Sequence, residues 1–222
     1  MLPRTDSGRI LLRWVVVFAA LGTFAHAAAA AVEEDFAIAV ANDRVGQVKE
    51  LLARGVDPNT VDAIGDPMLL VAARAGNVNT VEALLAARAD VNVRNKFGDT
   101  AIMAAALSGN LVIVRSLRAR GANLENPGWT PLIYAATGGF DAVVAYLLAQ
   151  GANINASSPN GTTALMMAVR EGKGATAELL IAKGADVNRR NQNGASALDW
   201  ALRGNERKMA EQLRRAGASV GN

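Results

Sequence analysis

The sequence predicts an all-α solenoid of stacked helix–turn–helix units with hairpin-like fingers, about six units in all, the first a divergent cap. Three markers recurring at one period carry that expectation. The first is a glycine that opens a short step into an apolar pair. It occurs in Gly65-Asp66-Pro67-Met68-Leu69, Gly98-Asp99-Thr100-Ala101-Ile102, Gly128-Trp129-Thr130-Pro131-Leu132, Gly161-Thr162-Thr163-Ala164-Leu165 and Gly194-Ala195-Ser196-Ala197-Leu198, at spacings of 33, 30, 33 and 33. The second runs in phase: Leu51-Leu52, Leu84-Leu85, Leu117-Arg118, Leu147-Leu148 and Leu180-Ile181. The third is a closing glycine, in Arg54-Gly55-Val56-Asp57, Arg120-Gly121-Ala122-Asn123, Gln150-Gly151-Ala152-Asn153, Lys183-Gly184-Ala185-Asp186 and Ala216-Gly217-Ala218. Composition agrees. The chain has 222 residues, 51% of them hydrophobic and 19% charged, enough to bury a core. Alanine, at 45 residues, lets helices approach closely.

The chain opens on an expected secretory signal peptide, residues 1–27, with cleavage also compatible with Ala31. Arg4, Arg9 and Arg13 precede the apolar run WVVVFAALGTF (Trp14 to Phe24), and Ala25-His26-Ala27 supplies the small-residue end. The competing reading is an uncleaved inner-membrane anchor, because Trp14 to Val32 carries no formal charge over 19 residues. Removing residues 1–27 takes away three basic residues and one acid. The net charge then falls from +3 to +1, with twenty basic residues against nineteen acidic. A near-neutral chain gives no reason to expect nucleic-acid binding.

The units are expected at about 32–63, 64–96, 97–126, 127–159, 160–192 and 193–222, together one repeat domain over 32–222. The first lacks the glycine opening and begins near Phe36, with Asp43 where later units have Gly76 and Gly139. In the others Thr100, Thr130, Thr163 and Ser196 stand where a hydroxyl caps the first helix. Pro131 follows at a position where its missing N–H costs little. The first helix is short, as in Thr163 to Gly172, and the second carries apolar residues at helical spacing, as in Val143, Val144, Leu147 and Leu148. Gly55, Gly121, Gly151, Gly184 and Gly217 then end it in a left-handed conformation. Asn160-Gly161 and Asn193-Gly194 are turn pairs that suit fingers. Two departures should weaken their units, Arg88 in place of the closing glycine and Arg118 in place of the second leucine. The linker Glu125-Asn126-Pro127 is three residues short, which predicts a stubby finger and a notch beside Trp129. The last unit ends in Arg214, Arg215 and a polar tail, as a terminal repeat with one uncovered face should.

The pattern G-x-T-P-L-x-x-A-A-x-x-G, then V-x-x-L-L, then G-A-x-x-N, resembles the ankyrin repeat. Its clearest copy runs from Gly128 to Asn155, and the resemblance covers the chain from about Val32 to the C-terminus. It implies an ankyrin-repeat solenoid whose first helices and fingers line a concave face. It also implies recognition by variable side chains on that face.

Catalytic and metal chemistry finds little footing. There is no cysteine, and the single histidine, His26, leaves with the leader. Thiolate and imidazole metal sites, a Ser-His-Asp arrangement and a cysteine nucleophile are therefore excluded from the processed chain. No metal, no cofactor and no catalytic residue is expected; an enzyme using concave-face carboxylates is the weakest alternative. Gly172-Lys173-Gly174-Ala175-Thr176-Ala177 matches a lone G-x-G-x-x-A, but it follows a helix rather than a strand and reads as an interhelical turn. The sequons at Asn155 and Asn160 read as incidental finger sequence. The basic residues Arg203, Arg207, Lys208, Arg214 and Arg215 read first as a solvated end cap, and second as a dock for an acidic partner.

The expected function is a non-catalytic scaffold or protein-interaction module in the bacterial periplasm, with an unidentified periplasmic or envelope protein as partner. Alternatives are an effector delivered to a eukaryotic host cell and a membrane-anchored scaffold. The candidate partner-binding residues, placed by alignment on fingers and first helices, are Phe97, Asp99, Trp129, Ile133, Tyr134, Met166, Arg170 and Arg190; the competing reading is packing, for Trp129 against the repeat, for Tyr134 in part, and for the Met166-Met167 pair. Trp, Tyr and Arg dominate interface energies, and Trp129 beside the short finger is the leading candidate.

Overall fold

The computed structural model describes residues 30–220. The expected signal peptide at 1–27 lies outside the described residues. Helix α1 covers 30–41, and eleven helices follow: α2 (Val45–Ala53), α3 (Met68–Ala75), α4 (Val78–Ala86), α5 (Ala101–Leu107), α6 (Leu111–Ala119), α7 (Pro131–Gly138), α8 (Asp141–Ala149), α9 (Ala164–Arg170), α10 (Gly174–Ala182), α11 (Ala197–Arg203) and α12 (Arg207–Arg215). Each expected unit thus holds two helices. Among the described residues there is no strand, only isolated bridges at Val61–Pro67 and Ser157–Thr163 within two fingers.

Two layers result. The first helices α3, α5, α7, α9 and α11 pack in sequence order against one another, and α2, α4, α6, α8, α10 and α12 form a second row behind them. Both rows share one continuous core. From the outer row it takes Leu51, Leu84, Leu117, Leu147 and Leu180, the in-phase leucines of the sequence. Burying one such side chain fully stabilises by about 1.5–3 kcal/mol. No unit has an apolar face covered from both sides without its neighbours, so these gains accrue only in the stack.

The local chemistry follows the sequence with one exception. The hydroxyls of Thr130, Thr163 and Ser196 accept from the backbone N–H groups of Ile133, Met166 and Asp199 at 3.3, 3.3 and 3.2 Å. The Thr100 hydroxyl is buried without a partner, and its backbone N–H instead meets the Met103 sulfur at 3.4 Å. The closing residues have positive φ: Gly55 +94°, Gly121 +88°, Gly151 +89°, Gly184 +87°, Gly217 +93° and, with a full side chain, Arg88 +65°. Asp43 takes φ +53° at the turn between α1 and α2, the place of Gly76 and Gly139 in later units. Its carboxylate accepts from the Thr80 hydroxyl at 2.6 Å.

Two hydrogen-bond series lock the fingers. Within a finger, the side chains of Asp62, Asn95 and Asn191 each accept from the backbone N–H groups two and four residues on, at 2.8 to 3.0 Å. Between fingers, Asn59, Asn92, Asn155 and Asn188 accept from the backbone N–H groups of Asp90, Asn123, Asp186 and Ser219 in the following unit, at 2.8 to 3.0 Å. Glu125 fills the missing rung, accepting from Asn153 N–H at 2.8 Å. The three-residue deficit therefore falls between Glu125 and Gly128. It removes finger length while the stacking ladder continues past it.

Candidate functional site

The face made by the first helices and the fingers holds the predicted candidates, and the structure sorts them into three groups. Phe97 stands at a fingertip, 74% exposed, with the Lys96 ammonium 5.2 Å from its ring centroid. Trp129, Tyr134 and Asp99 form a cluster at the short finger. Trp129 is half-buried, its ring 5.5 Å from that of Tyr134 and tilted by 32°. The Tyr134 hydroxyl donates to Asp99 at 2.8 Å. Burial first, then the hydrogen bond and charge of Asp99, push the Tyr134 hydroxyl well above the ordinary tyrosine range, so it stays a donor.

Ile133 and Met166 do not belong to the surface. Ile133, placed on the surface by alignment, is 0% exposed, and Met166 is 1% exposed, as the packing reading of the Met166-Met167 pair has it. The reason is geometric. Both are the third residue of a first helix, as are Leu70 and Met103, which are also buried. This position faces the neighbouring first helix. One residue on, Val71, Ala104, Tyr134 and Trp200 are partly exposed, while Met167 of α9 is buried.

Arg170 and Arg190 both lie in the fifth unit, 160–192, away from the aromatic cluster, and both are engaged within the chain. Arg170 pairs with Glu171 at 2.8 Å and lies 5.6 Å from the Trp200 ring centroid. Arg190 bridges Asp199 at 3.1 Å and donates to the Gly194 carbonyl at 2.6 Å, fastening the last finger to α11. A backbone hydrogen bond from Ser196 outweighs partial burial at Asp199. The Ser196 hydroxyl and Arg190 add to it, and the carboxyl is held below its usual range.

Residues the sequence did not single out complete the surface. Ile38, Val61, Ile64 and Leu107 are exposed apolar side chains on the first three units. Asp66, almost fully buried, accepts from Arg74 at 2.7 Å and from Asn95 at 2.8 Å. Burial raises its pKa, but those two bonds and the charges of Arg74 and Lys96 more than offset that and lower it. A crease of about 90 Å³ between Arg74, Asp99, Met103, Leu107 and Tyr134 is far below the roughly 300 Å³ at which small-molecule sites begin. It has the size for one side chain of a partner. Among the described residues no three His, Cys, Asp or Glu side chains gather as a metal site would require.

A stack of helical hairpins in register, with fingers tied by a rung at every unit, is a repeat architecture. Family models described as ankyrin repeats match residues 69–158 and 156–222 (three copies) and 34–85 (many copies). The chain belongs to the ankyrin repeat family. Among solved structures it is similar to an ankyrin repeat domain from Acinetobacter baumannii AYE, at 32% identity and a TM-score of 0.75, over 84% of this chain and 100% of that one. No curated protein matches it. Ankyrin repeats generally mediate protein–protein interaction, typically without catalysis. In this ankyrin repeat chain, the concave face expected from the family is the one carrying Phe97, Trp129 and Tyr134.

Proposed function

We propose that this ankyrin repeat chain is a non-catalytic interaction module, exported to the bacterial periplasm, that binds a partner protein through its concave face and fingers. The observation that carries the binding reading is the aromatic surface at the short finger. Phe97 projects from one finger, and the next finger is cut back so that Trp129 and Tyr134 are reachable beside it. Such rings supply large contact area with few torsions to freeze. Asp99 fixes Tyr134, and the ladder fixes the fingers, so little further ordering accompanies docking. Export is supported by the basic start, apolar run and Ala25-His26-Ala27 end of the leader.

The test is capture from envelope extract with wild type, Trp129→Ala and Phe97→Ser, each checked for unchanged helicity. A partner held by wild type and lost by both variants is expected. Equal retention by all three would refute the assignment of this face. N-terminal sequencing of the protein recovered from whole envelope extract checks export: loss of residues 1–27 is expected, and an intact 1–27 segment would favour the anchor.

A further inference from the structure

We propose that the N-terminal end of this face recognises a basic, apolar polypeptide segment of the partner. This rests on the concave-face reading above and adds the chemistry of what is bound. The face is polarised along the solenoid. Of the exposed large apolar residues on the first helices and fingers, Ile38, Val61, Ile64, Phe97 and Leu107 fall in the first three units, and Leu202 of α11 is in the last. In the fourth to sixth units the fingertips are polar, with Asn160 and Asn193; Arg170 and Arg190 pair with Glu171 and Asp199, while Arg189, Arg203, Arg207, Arg214 and Arg215 are exposed and join no ion pair among the described residues.

At the apolar end lies a cleft of about 570 Å³ between α1 and the first finger. Its apolar lining comes from Ala37, Ile38, Ala41 and Val61, and its charged lining from Glu33, Glu34 and Asp62, with no Lys or Arg. Among the described residues none of these three carboxylates joins an ion pair. Arg74, on the next first helix, is already neutralised by Asp66 at 2.7 Å. The next cation along the fingers, Lys96, sits over Phe97. Among the described residues the cleft therefore presents apolar walls under a negative rim that no cation compensates. That combination suits aliphatic side chains flanked by Lys or Arg, whose methylene stems lie on the apolar wall while the charge reaches the carboxylates. Ile64 and Phe97 continue the apolar surface from the cleft toward Trp129, so the ligand is a chain segment rather than a compact small molecule.

The experiment selects displayed random peptides of about a dozen residues on the immobilised full chain. Binders are then measured against wild type, Glu33→Gln/Glu34→Gln and Ile64→Ser/Phe97→Ser. Selected peptides should be enriched in Lys or Arg next to Leu, Ile or Phe. They should weaken about 2- to 10-fold with the charge-neutralised variant and with added salt, as exposed ion pairs do. They should be lost with the apolar variant. Peptides that need Ile64 and Phe97 but show neither basic enrichment nor sensitivity to Glu33 and Glu34 would overturn this proposal and leave the concave-face reading standing. Peptides indifferent to both variants, or no binders at all, would overturn both.

Discussion

Replacing Arg88 with glycine should stabilise the protein, although it removes a whole side chain. Arg88 ends α4 at φ +65°, where five other units place glycine. A residue with a Cβ pays about 1–2 kcal/mol in that left-handed region. Glycine relieves this strain but makes the unfolded chain looser by about 0.5–1 kcal/mol. Arg88 is exposed and makes no ion pair or side-chain hydrogen bond among the described residues, so little else is lost. The difference is a gain of about 0.5–1 kcal/mol. For a domain of this size that is a rise of roughly 1–4 °C in Tm. Gly121→Ala is the mirror experiment. Nothing lies within 4 Å of an added Cβ at Gly121, so only the backbone at φ +88° objects, and a comparable loss is expected. Urea unfolding followed by circular dichroism reads both. A loss of stability in Arg88→Gly, or no loss in Gly121→Ala, would refute the argument from backbone conformation.

Ile133→Ala should cost about 2–5 kcal/mol in the same assay, whereas Phe97→Ser should leave stability nearly unchanged; similar effects from both would contradict the sorting into core and surface. Glu125→Gln should keep its rung and stay within a few tenths of a kcal/mol of wild type, while Glu125→Ala should cost about 0.5–1.5 kcal/mol, and equal losses would show that the rung is immaterial. Asp66 has a lowered pKa in the folded chain, so its contribution is complete above the unfolded carboxylate value of about 3.9 and disappears as pH falls through the folded one. Asp66→Asn should accordingly be least stable relative to wild type near neutrality and converge with it in acid; a gap that persists at the lowest pH at which both fold would contradict that linkage.

The fold was legible because its markers were redundant. Closing glycines, paired leucines and cap hydroxyls are each imposed by backbone geometry, so they repeat whether or not the exposed residues do. The short linker was legible as a length deficit, but the identity of Glu125 as its surviving rung was not, because the ladder ends on a side chain that reaches across to another unit. The asparagines at 59, 92, 155 and 188 were nevertheless visible as the last letter of the repeat pattern. The site was read less well. Alignment to the repeat puts Ile133 and Met166 among the candidates, with packing the favoured reading only for the Met166-Met167 pair, yet on helices of seven or eight residues flanked on both sides only a narrow strip meets solvent. The column Leu70, Met103, Ile133 and Met166 is large and apolar in every unit that has a following neighbour, giving way to Asp199 only in the last, and that is the available signal for core. Trp200 beside Arg170, and the apolar fingertip Ile64, depend on the contacts of neighbouring units and could not be read from one repeat.

The central claim is that the chain acts by protein contact on the face of its first helices and fingers. A photo-crosslinking residue placed at Phe97, and in a second protein at the exposed Val112 of α6 in the outer row, tests it in living cells. A discrete adduct with one partner protein is expected from position 97 and none from position 112. Adducts of equal yield from both positions, or from 112 alone, would contradict it.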